Sequence, residues 1–240
     1  MMNDRESREN AVMFNNIAGS YDFLNHLLSL NFDKGWRRKA IRSIAPGKPR
    51  RILDVATGTA DMAIAAIKLN PDQITGVDAS PGMLEVGRKK IKERGLDDRI
   101  SLIEAVCESL PFKESSFDAA VVAFGVRNFT DPQLGLNEIY RVLSPGGKLA
   151  ILEFSLPGQK WLLTLYRFYF HHLLPMIGKW FSHDMAAYRY LPDSVEAFPK
   201  GPAFVEMLNH SGFIDSDYKP LTFGICGLYT GIKNSHEVII

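Results

Sequence analysis

Residues 51–65, RILDVATGTADMAIA, read as an apolar strand, a tight loop and the opening of a helix. The strand ends in Asp54, the loop runs through Thr57-Gly58-Thr59, and the helix starts at about Asp61. On its C-terminal side the same alternation repeats. Short β-rich runs at 73–78 (QITGVD), 100–106 (ISLIEAV), 117–124 (FDAAVVAF) and 148–154 (KLAILEF) are separated by amphipathic helical patterns at 62–69, 82–95 and 135–143. Strands alternating with helices predict βαβ units and a parallel sheet. A helical pattern at 203–212 and strand-like runs at 213–219 and 221–233 resume it near the C-terminus. The expected architecture is therefore α/β and doubly wound, in a single domain over 1–240. Residues 1–50 form an N-terminal helical cap that ends at the breaker PGKP, and residues 155–200 form an aromatic-rich helical insertion.

Composition narrows the function classes. The chain has 240 residues, 46% of them hydrophobic and 23% charged, with a formal net charge of +1. These are the proportions of an ordinary globular protein. A near-zero charge argues against a dedicated nucleic-acid binder, which needs a basic excess to meet phosphates. Two cysteines, Cys107 and Cys226, make no disulfide framework and no zinc motif, and no metal site is expected. The polar N-terminus does not resemble a secretory signal, which points to the cytoplasm.

In doubly wound folds the ligand cleft lies beyond the carboxyl ends of the strands. A dinucleotide loop would place glycines at 56, 58 and 61; here those positions are Ala56, Gly58 and Asp61. A carboxylate at 61 would repel a pyrophosphate, and no Lys-Ser/Thr pair follows to make a P-loop. Acids before the loop (Asp54) and after it (Asp61) suit a cationic nucleoside ligand. S-adenosylmethionine has a sulfonium, an ammonium and no phosphate. Asp61 has a second reading, as a first-turn carboxylate complementing the helix dipole. Asp78 ends the next strand, 20 residues after Gly58, at the spacing of an acid that accepts hydrogen bonds from ribose hydroxyls.

With those residues in view, the chain resembles class I S-adenosylmethionine-dependent methyltransferases, and more closely the ubiquinone/menaquinone biosynthesis C-methyltransferase family. Four motifs carry the resemblance: Phe14 to Ser29 (FxxIAxxYDxxNxxxS) followed by Trp36-Arg37-Arg38, LDVATGTAD, FGVRNFTD at 124–131, and YRVLSPGGKLAILEFSLP at 140–157. The family implies a mostly parallel seven-stranded sheet and methyl transfer to a ring carbon of a polyprenylated quinol. It places the cofactor on Thr59, Asp78 and the pair Val106-Cys107, beside the Gly58 and Asp54 that the loop reading already put at the cofactor. The short N-terminus and FGVRNF look most like the menaquinone branch, with demethylmenaquinol as substrate. The benzoquinol of the ubiquinone pathway, or another hydrophobic small molecule, is the alternative. A cofactor- or lipid-binding module without turnover is the non-enzyme alternative. The chain departs from the family at Asp33, where histidine is usual, at Thr57 and Ala60, often glycines, at Val106, usually an acid, and at Ser144, commonly lysine.

Ring methylation needs an ionised hydroxyl to push electron density onto the adjacent carbon. Arg127 and Asn128, directly after the fourth strand, are expected at the cleft mouth. There Arg127 would stabilise the phenolate and Asn128 would orient the hydroxyl or a water. Arginine stays protonated, so it would act as a charge and not as a base. A salt bridge to a neighbouring acid is its alternative role. Tyr21 and Asp22, from the cap, are expected to close over the site.

Residues 160–181, KWLLTLYRFYFHHLLPMIGKWF, hold seven aromatic residues in 22. Arg167, the two histidines and Pro175 interrupt the run too often for a membrane span. Tryptophans at both ends with basic residues suit a membrane interface instead. The partners expected are thus a polyprenylated quinol and the inner face of the cell membrane, with no nucleic acid. A core helix or a homodimer interface is the other reading of the segment.

Overall fold

A computed structural model describes residues 12–15, 18–19, 29, 31–168 and 192–235. One seven-stranded sheet organises them: β1 (Arg51–Val55), β2 (Gln73–Asp78), β3 (Ile100–Glu104), β4 (Phe117–Ala123), β5 (Leu143–Phe154), β6 (Phe213–Leu221) and β7 (Cys226–Lys233). Its order is β3-β2-β1-β4-β5-β7-β6. The first five strands pair in parallel, and β7 runs antiparallel between β5 and β6. The sheet is thus mostly parallel and seven-stranded, as the resemblance implied.

The helices are α1 (Asp33–Ile44), α2 (Asp61–Ala66), α3 (Pro81–Glu93), α4 (Pro132–Val142), α5 (Lys160–Phe168) and α6 (Pro202–His210). Two of them start on a side-chain cap: Ser80 Oγ accepts from the Met83 amide before α3, and Asp131 from the Leu134 amide before α4. Each has proline at its first position, where a missing amide proton costs nothing.

Ile52, Leu53, Asp54 and Val55 of β1 are all fully buried, because helices cover both faces of the sheet. On one face Trp36, Ile41 and Ile44 of α1 pack with Met62 and Ala63 of α2 against Ile52, Ile74 and Leu152. On the other, Leu136 and Ile139 of α4 pack with Phe204 and Leu208 of α6 against Leu53, Val55, Val77 and Leu149. The odd and even residues of β1 thus serve opposite cores, the consequence of a two-residue side-chain period.

Among the boundaries that differ from the sequence reading, two reshape the chain path. The run at 221–233 is not one strand: a turn at Thr222–Gly224 splits β6 from β7, with Thr222 (φ 47°), Phe223 (φ 57°) and Gly224 (φ 90°) all left-handed. Three consecutive left-handed residues turn the chain sharply enough to make the antiparallel β6–β7 pair. The other is at 105–106, where the expected third strand gives way to a short turn at Cys107–Ser109. Of the aromatic-rich insertion, α5 is described, and residues 169–191 lie outside the described residues. No described helix is long and apolar enough to cross a membrane.

Candidate active site

The strand order reverses between β1 and β4, so their carboxyl ends diverge and leave a crevice. A cleft of about 730 Å³, part of it open to solvent, lies there. Val55, Ala56 and Gly58 line it from the end of β1, and Val77, Asp78, Ala79 and Ser80 from the end of β2. Ala105 to Glu108 come from beyond β3, and Ala123 to Gly125 with Asn128 and Phe129 from the end of β4 and the loop after it. Phe14 of the cap closes one side. A smaller recess shares Ala56, Gly58, Ala123 and Phe124 with the cleft and adds Arg37, Thr57, Thr59, Asp61 and Met62.

Backbone geometry at the site is unusual. Ala56 (φ 52°), Ala60 (φ 66°) and Phe124 (φ 61°) are left-handed without being glycine, and Gly58 (φ 55°) lies between the first two. Such conformations cost energy in L-residues and cluster at functional sites. The alternation curls the loop so that its amides face inward. The Gly58 amide donates to Asp78 Oδ2 (2.8 Å), and the Ser80 amide to Asp78 Oδ1 (2.9 Å). The β4 loop approaches so closely that a Cβ on Gly125 would lie 2.5 Å from the Ala56 Cβ.

Asp78 is half-buried on the cleft wall. Burial raises its carboxyl above the usual carboxylate range, opposed by the Ser80, Gly58 and Ala79 amides. Each oxygen holds one amide and keeps acceptor capacity for a further donor. Val106 and Cys107 also line the cleft; burial pushes the Cys107 thiol well up, which makes it an apolar wall and not a nucleophile. Glu108 Oε1 accepts from the Thr130 amide (2.7 Å), tying this wall to the loop after β4.

Three expected site residues are placed differently. Asp54 does not line the cleft. It is fully buried below the loop, where its Oδ2 accepts from Thr57 Oγ1 (2.6 Å) and the Ala63 amide (2.9 Å). A carboxylate ending an apolar strand thereby pins the loop to α2. Asp61 lines the smaller recess, pairs with Lys90 and stands 3.5 Å from Arg37. Arg127 is not part of the cleft lining. Its side chain is 6% exposed and pairs with Glu153, itself 1% exposed, at 2.7 Å; it also donates to the Phe124 carbonyl (2.6 Å) and to Ser194 Oγ (3.3 Å). Asn128 does reach the cleft wall. Thr59 lines the smaller recess, and its hydroxyl accepts from Lys90 Nζ (3.1 Å). Tyr21 and Asp22 lie outside the described residues.

Burial pushes the Asp54 carboxyl up to about 7, against the lowering by Thr57, Ala63 and Arg37. A folded-state value raised above the unfolded one favours folding most at low pH. That contribution fades as pH rises from about 4, where the unfolded chain ionises, to about 7. Asp54→Asn keeps an acceptor for Thr57 and Ala63 and removes the titration. Denaturation midpoints measured from pH 5 to pH 8 should fall for the wild type and fall less steeply for Asp54→Asn. Equal slopes would show that Asp54 is ionised throughout.

Residues to which the sequence reading gave no role of their own also shape the site. Trp36 meets Phe124 and Phe154 edge-on (6.1 and 6.2 Å between centroids), and those two rings stack at 4.4 Å. Asn15 Oδ1 accepts from Ser80 Oγ (2.7 Å) and the Gly82 amide (2.8 Å), which docks the cap on the start of α3 beside Asp78. Among the described residues no group of three or more His, Cys, Asp or Glu side chains is placed to hold a metal ion.

Asp78 and the apolar walls after β3 thus face one cleft. The fold is that of solved methyltransferases. It superposes on an S-adenosylmethionine-dependent methyltransferase from Aquifex aeolicus with TM-score 0.56, at 15% identity over 76% of this chain and 81% of that one. Phosphoethanolamine N-methyltransferase 2 of Haemonchus contortus, solved with S-adenosyl-L-methionine, gives 0.57 at 17% identity over 77% of this chain and 49% of that one. In sequence the chain is 46% identical to the demethylmenaquinone methyltransferase of Bacteroides fragilis, covering 95% of this chain and 94% of that protein. It is 45% identical to the ubiquinone/menaquinone biosynthesis C-methyltransferase UbiE of Geobacter sulfurreducens, over 92% and 87%. The model of the ubiE/COQ5 methyltransferase family matches residues 1–233. Trp36, Phe124 and Phe154, which meet as one aromatic cluster beneath the cleft, come from three of the four motifs that suggested the relationship, and the chain belongs to the ubiE/COQ5 methyltransferase family.

Proposed function

We propose that this chain methylates a ring carbon of a reduced polyprenylated quinol, converting demethylmenaquinol to menaquinol, with S-adenosylmethionine as methyl donor. The observation that carries the reading is the cleft at the β1/β4 switch point in a chain of this family. The wall at 106–107 suits an adenine, Asp78 suits a ribose, and Asn128 lies on the β4 side where a ring would approach. The residues fit the donor: the loop carries no phosphate-binding lysine, and Asp78 would repel a phosphate while accepting from two hydroxyls.

The donor supplies an electrophilic methyl group when bound. The chain's own residues orient and exclude water. Asn128 offers an amide to the ring hydroxyl, and Arg127 holds the loop that carries it through Glu153 and the Phe124 carbonyl. Orientation of this kind accounts for a large share of a two-substrate barrier. Tyr21 and Asp22 remain candidates to close the site from the cap. The surrounding surface supports an apolar approach for the tail. Trp161 at the start of α5 and Phe223 in the β6–β7 turn are both largely exposed, and Gly224 lies against Pro157 and Gly158. Peripheral contact with the inner face of the cell membrane, from the cytoplasm, follows from such a substrate. The benzoquinol of the ubiquinone pathway is a second reading, supported by the double name of the Geobacter sulfurreducens relative.

The test is the quinone profile of a strain lacking this gene. Accumulated demethylmenaquinone, reversed by the intact gene, is the expected result. Accumulation of an unmethylated benzoquinone instead would move the assignment to the second reading, and an unchanged profile would overturn both.

A further inference from the structure

The turn at Thr222–Gly224 holds a phenylalanine out in water in a strained conformation. Phe223 is left-handed (φ 57°), as is Thr222 before it (φ 47°), and Phe223 is 72% exposed. An L-residue is unfavourable there, and an unburied ring offsets none of that strain. Tertiary contacts hold the turn in place. Thr222 Oγ1 accepts from Trp36 Nε1 (2.8 Å), and Gly224 lies against Leu156, Pro157 and Gly158. The same Trp36 stacks on Phe32 (6.4 Å between centroids), which is 52% exposed at the start of α1. Trp161, three residues beyond Gly158, is 66% exposed. Three exposed aromatic residues thus gather around contacts at the carboxyl end of the sheet, the end onto which the cleft opens.

α1 supplies charge beside them. It carries five cations and one acid, in a chain whose net charge is +1. The acid, Asp33, and one of the cations, Arg37, are buried and pair with each other. Lys34, Arg38, Lys39 and Arg42 are all exposed, and none of them forms an ion pair among the described residues. Lys34, Arg38 and Arg42 recur every four residues and so share one outward stripe. Lys39 lies two helical turns from Phe32, on the same side of α1. The segments 155–161 and 219–226, which meet at the turn, add exposed Lys160 and Lys219 and no acid.

Exposed aromatic rings flanked by unpaired cations match the surface of an anionic lipid bilayer. Aromatic rings settle at the interface, and each lysine or arginine near it is attracted to acidic headgroups. The same charge argues against a second copy of this chain, whose like face would repel it. We propose that the outer stripe of α1 and the Thr222–Gly224 turn form one docking face for an anionic phospholipid membrane, with Phe223 entering the headgroup layer. The choice of a membrane rests on the quinol reading, because a polyprenyl tail resides there. The proposal extends to α1 and the β6–β7 turn a contact that the sequence reading confined to 160–181. Docking by this face brings the carboxyl end of the sheet, and with it the cleft, toward the bilayer.

The test is co-sedimentation of the intact protein with vesicles of phosphatidylcholine alone and of phosphatidylcholine mixed equally with phosphatidylglycerol. The wild type should bind the anionic vesicles about a hundredfold more tightly, and lose that preference as salt rises from about 0.1 M to about 1 M. Neutralising the stripe, with Lys34→Gln, Arg38→Gln and Arg42→Gln together, removes three attractions of about fivefold each. That variant should bind anionic vesicles little better than neutral ones. Phe223→Asn removes the ring, leaves the charge and suits the left-handed backbone. It should weaken binding by about tenfold and melt no lower than the wild type. Equal affinity of the wild type for the two vesicles, or full affinity in either variant, would overturn the proposal. So would a dimer that Phe223→Asn dissolves, since the face would then join two copies. A short-tailed quinol offered in solution with the methyl donor separates this test from the function. Vesicle binding without methylation would overturn the quinol reading and leave the face, and methylation without vesicle binding would overturn the face alone.

Discussion

Asp78→Ala is expected to weaken S-adenosylhomocysteine binding by about a hundredfold or more, the largest single effect on the cofactor site. Two hydrogen bonds from ribose hydroxyls to an ionised acceptor at about 1.5–3 kcal/mol each reach that range. The side chain has a second duty, since it holds the Gly58 and Ser80 amides at 2.8 and 2.9 Å. Alanine leaves both without their acceptor, so part of the loss will come from a relaxed loop. Asp78→Asn separates the two. Its amide oxygen still accepts from one backbone N–H, while its NH₂ presents a donor to a hydroxyl that needs an acceptor. If the ribose role is right, Asn should recover little affinity while recovering thermal stability. Affinity within about twofold of wild type in either variant, by calorimetry, would remove Asp78 from ribose recognition. A ligand lacking both ribose hydroxyls, tested on the wild type, should reproduce most of the loss without touching the loop.

The parallel part of this fold is legible in the sequence because its signals are local. The strand signals from 51 to 154 are short apolar runs that end near an acid or a small residue, and all but the third lead into a helix. Asp78 is legible too, since a ribose-binding acid is set by its distance along the chain from the glycine loop. What periodicity cannot carry is the partner of a charge. Asp54 and Arg127 both stand at strand ends facing a cleft in sequence terms, yet the structure turns them inward. Asp54 caps the amide of Ala63 nine residues on, and Arg127 meets Glu153 from a neighbouring strand 26 residues away. Glu153 lies within an apolar run, ILEF, where a lone acid signals a buried cation partner; that is the clue by which the pair could have been found. The turn at Thr222–Gly224 was hidden for another reason. Left-handed Thr222 and Phe223 defy local preference, so tertiary contacts impose the bend, among them the hydrogen bond from Trp36 Nε1 to Thr222 Oγ1 (2.8 Å).

Breaking the Arg127–Glu153 pair should cost more stability than any surface change, and the way it fails decides what Arg127 does. Both side chains are nearly inaccessible, and the pair also organises backbone. Glu153 accepts from the amides of Arg127 (3.2 Å) and Phe154 (2.9 Å), while the guanidinium lies 5.6 Å from the Phe154 ring centroid. Arg127→Ala leaves Glu153 as a buried charge without its cation, a loss of about 3–5 kcal/mol. Activity would then fall for a trivial reason, because the β4 loop that carries Asn128 is no longer held. Arg127→Met with Glu153→Gln removes both charges and keeps most of the volume, and replacing both members of a buried pair is often nearly neutral. The double variant should therefore melt near the wild type and bind S-adenosylhomocysteine with near-normal affinity. If Arg127 acts only by holding the loop, its turnover at saturating quinol should recover along with stability. If turnover stays down by about a hundredfold or more while stability and cofactor affinity are restored, Arg127 acts on the ring oxygen as well. That outcome would require the guanidinium to face the cleft when the quinol is bound, and it would reinstate the phenolate-stabilising role that its place in FGVRNF suggested.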